Sequence, residues 1–210
     1  ELAALMTAIH DRSIRLLVGT QVLAKGHDFS GLTMVGIVDT DQVLYGSDFR
    51  AIERMGQLIT QVAGRAGRAQ RPGEVLLQTH EPQHPLLKKL VQGGYRALCE
   101  AVLEERRITA LPPFSHLALL RAESLEPPAA LKFLTEAREL LSQDAAVDAA
   151  DPIPALMERR AGYTRAQLLL QSASRARLQK LLASQLPLIE TLPLARKVRW
   201  SVDVDPYDLF

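Results

Sequence analysis

The sequence predicts an α/β protein in two parts, a parallel-sheet domain over residues 1–112 and a small α+β domain over residues 113–210. Through the first part, apolar runs too brief for helices alternate with amphipathic helical stretches, as in a parallel sheet covered by helices. Leu111-Pro112-Pro113 then breaks a long helical pattern and marks the boundary. Beyond it the runs follow the order β-α-β-β-α-β, a split βαβ or ferredoxin-like arrangement whose antiparallel sheet buries one face beneath two helices.

In chain order, residues 2–11 set Leu2, Leu5, Met6 and Ile9 at helical spacing, which gives an amphipathic helix. Ile14 to Val18 follows as a short buried strand. Met34 to Val38 is a second, closed by Asp39, Thr40 and Asp41 at the strand end where ligands gather in parallel sheets. An apolar strand ending in acid resembles the element that holds magnesium in nucleotide hydrolases. No G-x-x-x-x-G-K-[ST] occurs in the chain, however, so capping of the strand end is the better reading of the pair. Gly46, Ser47 and Asp48 form a turn and N-cap. Phe49 to Arg68 then runs as a helix with Phe49, Ile52, Met55, Ile59 and Val62 on its apolar face.

Pro72-Gly73 turns the chain into a third strand, Glu74 to Thr79. His80 and His84 lie four apart, but Pro82 denies them a shared helical face, so HEPQH reads as a surface loop rather than a metal site. His84 to Arg107 is a long helix with Leu86, Leu87, Leu90, Val91, Leu98, Val102 and Leu103 as its stripe. In the second part Leu117, Leu119 and Leu120 form a strand and Pro128 to Ser142 a helix on Leu131, Leu134 and Leu141. Ile153 to Glu158 and Tyr163 to Leu170 are strands about the turn Arg159-Arg160-Ala161-Gly162. Ser174 to near Leu186 is a helix ended by Pro187, and Val198 to Val204 closes the sheet.

Lysine plus arginine number 25 against 24 aspartate plus glutamate, so any nucleic-acid contact must come from local clusters rather than from a global field. Arginine outnumbers lysine, which favours forked contacts to phosphate or carboxylate. The single cysteine, Cys99, reads as a small buried residue, and it excludes a disulfide framework or a zinc site built from these residues alone. No run approaches the roughly 18 apolar residues of a membrane span, and no signal peptide opens the chain. An opening on glutamate within a helical pattern suggests a fragment of a larger cytoplasmic protein.

The motif richest in chemistry is Gln57 to Arg71, QLITQVAGRAGRAQR, which sets Gln61, Gly64, Arg65, Gly67 and Arg68 in the order Q-x-x-G-R-x-G-R. Arginines three apart lie on one helical face and converge on one target. A planar, permanently charged fork suits a phosphate, and the glycines allow close approach. This is the make-up of an arginine finger on a transferring phosphoryl group; a solvated basic helix end is the plain alternative. Upstream, Gly19 to Asp28, GTQVLAKGHD, follows an apolar run and lines up the Thr20 hydroxyl, backbone N–H groups, Lys25 and Gly26 along one edge. Such an edge grips nucleic-acid phosphates without reading bases. In the second part, Arg159, Arg160 and Tyr163 with Arg165 combine guanidiniums and an aromatic ring, able to hold a sugar-phosphate backbone and stack a base. An exposed hairpin with solubilising charges is the alternative. Arg175 and Gln179, one helical turn apart with Arg177 and Lys180 nearby, suit an acidic peptide or a terminal carboxylate.

GTQVLAKGHD and QVAGRAGR in this order resemble motifs V and VI of superfamily 2 helicases. The segments LLVGTQVLAKGHDF, IVDTDQVLYGSDFRAIERMGQLITQVAGRAGRA, GEVLLQTHEPQHPLL, LPPFSHLALLRAE and RKVRWSVDVDP resemble the C-terminal third of the PriA (primosomal protein N′) family of replication-restart helicases. The resemblance implies part of a RecA-like lobe 2 followed by a C-terminal domain, in an ATP-dependent 3′-to-5′ DNA helicase that acts at forked DNA and reloads the replication machinery. It implies Arg68 as the finger, Arg65 as its partner and Gln61 placing water or phosphate, with Asp28, Gly64 and Gly67 at the nucleotide and Thr20, Lys25 and Gly26 on DNA. ATP and Mg2+ would be shared with a lobe not in this chain, so the fragment alone would be inactive, and the family's zinc would sit in an upstream part. It also implies primosome proteins and the acidic tail of single-stranded DNA-binding protein as partners, the latter at Arg175 and Gln179, with no membrane. The competing reading is a docking module with no catalytic share.

Overall fold

In the computed structural model, which describes residues 7–9, 11, 13–19, 33–46, 48–63 and 74–209, β1 (Met34–Ile37) and β2 (Glu74–Leu77) pair in parallel. The ladder runs on past Ile37, whose carbonyl accepts from Gln78 N, and the Gln78 carbonyl accepts from both the N–H and the hydroxyl of Thr40. Thr40 is buried, so its hydroxyl needs that partner. Three helices accompany the pair: α1 (Asp41–Leu44), α2 (Ala51–Ala63) and α3 (Pro85–Ile108). Leu44, Met55, Ile59, Leu86, Leu87, Leu90, Leu98 and Val102 form their core, with Ile37, Val75 and Leu77 of the strands packed against it. Thr7–Ile9 is helical, within the stretch expected to be so.

Three expectations about this half are corrected. Residues 14–18 form no strand, and Leu16 and Val18 are exposed; a strand exists only against a ladder partner, and no described residue pairs with this run. The helix expected from His84 to Arg107 is interrupted at Gly94, whose φ of 71° belongs to the left-handed region that glycine alone enters freely. Val91 and Leu103 are exposed, because each is a neighbour of a buried residue and so turns away from the core face.

The second sheet is antiparallel. β3 (His116–Ser124) pairs with β6 (Tyr163–Ser172) on one side and β7 (Arg199–Val204) on the other, while β4 (Asp148–Ala149) and β5 (Ile153–Arg160) both pair with β6. Helices α4 (Pro127–Leu141) and α5 (Arg175–Glu190) bury Phe133, Leu134, Leu141, Leu178 and Ile189 against Ala118, Leu120, Leu168 and Leu170 of the sheet. The described fold is thus mixed α/β, with one parallel and one antiparallel sheet.

Two details depart from the sequence reading here. Helix α5 continues through Pro187 to Glu190, because Pro187 is exposed and Ile189 beyond it is fully buried, so burial in the last turn offsets the lost backbone bond. Leu131 of α4 is exposed, since Ala129 and Ala130 take the core side of that turn.

The chain divides into two compact units, Glu1–Glu104 and Glu105–Phe210. The sequence sets its break later, at Pro112-Pro113. The connecting loop belongs with the second sheet: Gln171 Nε2 of β6 donates to the Ala110 carbonyl at 2.6 Å and to Ser115 Oγ at 3.1 Å.

Candidate functional site

Helix α2 is held by Met55 and Ile59 in the core and leaves Gln61 exposed near its last described turn. The Q-x-x-G-R-x-G-R motif begins at this residue. Gly64, Arg65, Gly67 and Arg68, and likewise Thr20, Lys25, Gly26 and Asp28, lie outside the described residues.

At the carboxyl end of β1 the two acidic side chains are engaged locally. The Asp41 carboxylate accepts from the Thr79 hydroxyl through Oδ1 and from His80 N at 2.8 Å through Oδ2, tying the end of β1 to the end of β2. The Thr79 hydroxyl first, and the His80 N–H second, hold the Asp41 carboxyl below the usual aspartate range. Asp39, at φ 56°, accepts from Gln42 Nε2 at 2.6 Å. Asp39 thus meets only a side chain, whereas Asp41 caps a backbone N–H. His84 works the same way: its Nδ1 accepts from Leu86 N at 3.3 Å at the start of α3. Cys99 is half-buried rather than buried. Among the described residues no group of three His, Cys, Asp or Glu is placed to hold a metal ion.

In the second unit Arg160 and Tyr163 pair across a two-residue turn, Ala161-Gly162, with φ of 49° and 83° at the two turn positions. Both angles are those of the tight hairpin turn that matches strand twist. Arg159 and Arg160 are exposed at its tip. A residue that the linear pattern does not reveal joins them: Arg199 of β7 sets its guanidinium 4.6 Å from the centre of the Tyr163 ring. Its NH1 also lies 3.7 Å from Glu123 Oε1. In register, Glu123 of β3 stands between Arg165 of β6 and Arg199 of β7, so the three form one cross-sheet row.

Alternation along the strands puts this row, with Arg121, Gln167 and Ser201, on the face opposite α4 and α5. Ala118, Leu120 and Ala122 take the helical side of β3. A concavity of about 330 Å³ lies on the open face, bounded by Arg121, Glu123, Arg165 and Arg199. Arg121 is already matched by carboxylates, donating to Asp203 at 2.9 Å and to Asp208 at 3.2 Å.

Arg175 and Gln179 both lie on the exposed face of α5. The Arg175 guanidinium donates to Asp205 Oδ2 at 2.7 Å. Its neighbour Arg177 grips Asp144, with Nε 2.9 Å from Oδ2. The Arg177 contact first, and the Ala146 N–H second, hold the Asp144 carboxyl low, and the same pairing raises Arg177. No helix among the described residues is long and apolar enough to cross a membrane.

Residues 107–207 match the family model described as primosomal protein N C-terminal domain. The chain is 44% identical over 197 residues to the replication restart protein PriA of Haemophilus influenzae, covering 93% of this chain and 27% of that protein. It is 37% identical over 161 residues to the protein of the same name from Synechocystis, covering 76% and 19%, and 31% identical over 209 residues to that of Bacillus subtilis, covering 97% and 26%. It therefore spans about a quarter of the length of the curated relatives it matches. The second unit coincides with the matched domain, and the chain belongs to the replication restart protein PriA family.

Proposed function

We propose that the chain is the arginine-bearing part of an ATP-dependent 3′-to-5′ DNA helicase or translocase that binds forked DNA and reloads the replication machinery at stalled forks. What carries this reading is the alignment of 93% of the chain with a replication restart protein, across the whole Q-x-x-G-R-x-G-R sequence. On this reading residues 1–112 are part of a RecA-like second lobe and residues 113–210 are the C-terminal domain. The strand order β5-β6-β3-β7, with two helices on one face, supports a split βαβ fold for the latter.

When bound against a neighbouring lobe, ATP supplies the phosphoryl group. Arg68 and Arg65 stand against its charge, a contribution of about 10³ to 10⁵ in rate for a finger of this kind. Gln61, exposed at the end of α2, places water or phosphate, and Gly64, Gly67 and Asp28 border the nucleotide. Thr20, Lys25 and Gly26 hold the DNA backbone, as do Arg159, Arg160 and Tyr163 in the second unit. Asp41 accepts from Thr79 and His80 at the strand end, and the magnesium carboxylate is assigned to the other lobe. Zinc is assigned to the upstream part of the parent protein, and its setting to the cytoplasm with the primosome proteins.

Substituting Arg68→Ala in the complete protein tests this. DNA-stimulated ATP hydrolysis should vanish with DNA binding nearly intact, and unchanged turnover would overturn the assignment. The 210-residue chain alone should not hydrolyse ATP.

A second reading, a docking surface for the acidic tail of single-stranded DNA-binding protein on Arg175 and Gln179, is favoured by one observation. The Arg175 guanidinium is exposed and already engages a carboxylate, that of Asp205.

A further inference from the structure

We infer that the open face of the second sheet is a stacking platform for single-stranded nucleic acid, with Arg199 as the layer on which an unpaired base lies and Arg165 as the phosphate contact. This rests on the reading of the hairpin tip as a DNA contact, and adds to it Arg199, which is far from that tip in sequence. The Arg199 guanidinium carbon stands 4.6 Å from the Tyr163 ring centre, yet its side chain remains 69% exposed. The group thus rests against an aromatic ring while most of its side chain stays open to solvent. Guanidinium planes receive unstacked bases in this way, and stacking tolerates any base because each has a π face.

The charge pattern fits a polyanion running along the face. Arg121 has its charge matched by Asp203 and Asp208, and Arg199 shares Glu123. Arg165 sits across from Glu123 on the other side of the row, and among the described residues no carboxylate lies within salt-bridge reach of it. Arg160, paired with Tyr163 and so on the same face, extends the positive charge to the hairpin end, while its neighbour Arg159, paired with Thr164, takes the other face. From Arg165 to the tip, three arginines of the open face, Arg160, Arg165 and Arg199, stand about Glu123. A concavity of about 330 Å³ lies beside them, lined by Arg121, Glu123, Arg165 and Arg199.

The test is binding of a labelled oligothymidylate by the 210-residue chain, measured by anisotropy across a salt series, beside an abasic oligonucleotide of equal length. Arg199→Lys keeps the charge and removes the planar layer. It should weaken oligothymidylate binding about tenfold, leave the salt slope unchanged and leave abasic binding unchanged. Arg165→Gln should weaken both ligands and lower the salt slope by about one phosphate contact. If Arg159→Ala with Arg160→Ala weakens binding while Arg199→Lys and Arg165→Gln bind as the parent does, the hairpin contact stands and this inference falls. If no variant weakens binding, both fall. Equal losses on both ligands for Arg199→Lys would reduce Arg199 to a structural support and overturn the stacking role.

Discussion

The side chain of Leu98 on α3 fills the space in which a Cβ at Gly56 of α2 would stand, and the Tyr95 ring lies 3.1 Å from the same point. The two helices therefore touch through a glycine. Alanine at position 56 would gain up to about 1 kcal/mol in helix propensity. Against that stands overpacking of about 1–3 kcal/mol against Leu98, which is fully buried and cannot swing into solvent. The packing cost wins. Gly56→Ala should lower the stability of the first unit by about 1 kcal/mol in urea unfolding, and a gain would mean that Leu98 gives way.

At the hairpin, Ala161 holds a φ of 49°, a conformation that costs a residue with a Cβ about 1–2 kcal/mol and that asparagine tolerates better. Ala161→Asn should raise the melting temperature of the second unit by a few degrees, a gain of about 0.5–1 kcal/mol. No change in Tm would mean that the turn is not held in this form in solution.

Acid should loosen both units. The Asp41 and Asp144 carboxyls titrate below their ordinary value in the fold, for the hydrogen-bonding reasons given above. Each therefore stabilises the native state at every pH above the unfolded aspartate pKa of about 3.9, and that contribution is lost as pH falls through the lower native value. Unfolding midpoints should be level from pH 7 to 5 and fall below pH 4. Asp41→Asn should flatten part of that fall, and an identical acid profile in the variant would remove Asp41 from the account.

Trp200, the only tryptophan, packs at 5.6 Å against the fully buried Phe133 and so reports on the core of the second unit. Phe133→Ala should cost about 3–5 kcal/mol and shift Trp200 emission towards that of solvent-exposed indole. Unshifted emission with intact stability would contradict the packing described.

The Arg175–Asp205 pair gives a check on the docking reading. Both side chains are largely exposed, at 64% and 42%, so the pair is worth about 0–1 kcal/mol. Asp205→Asn should tighten binding of an acidic peptide by up to about fivefold, as a competing carboxylate is removed. Arg175→Ala should abolish that binding in titration calorimetry.

Element type and order were legible wherever a period ran long enough. The spacing of Met55 and Ile59 placed α2, the leucines of His116–Ser124 placed β3, and the proline and glycine punctuation placed the turns between them. The same local rules failed at Ile14 to Val18, because an apolar run becomes a strand only when a partner lies alongside. They also failed at Gly94 and Pro187, where the path of the helix depends on what is buried beyond the break. The capping role of Asp41 was readable because a cap bonds to groups near it along the chain or at the next strand end, whereas Asp39 meets only the Gln42 side chain.

By itself the sequence determined the element order, the family motifs and the arginine-rich segments, since each depends on residues close in the chain. The tertiary structure alone decided that Arg199 meets Tyr163 and Arg165 across Glu123, that Asp205 occupies Arg175, and that Gly56 is pressed against Leu98. These contacts join residues that are distant along the chain. Cross-strand register and helix crossing create them, and no local periodicity encodes either.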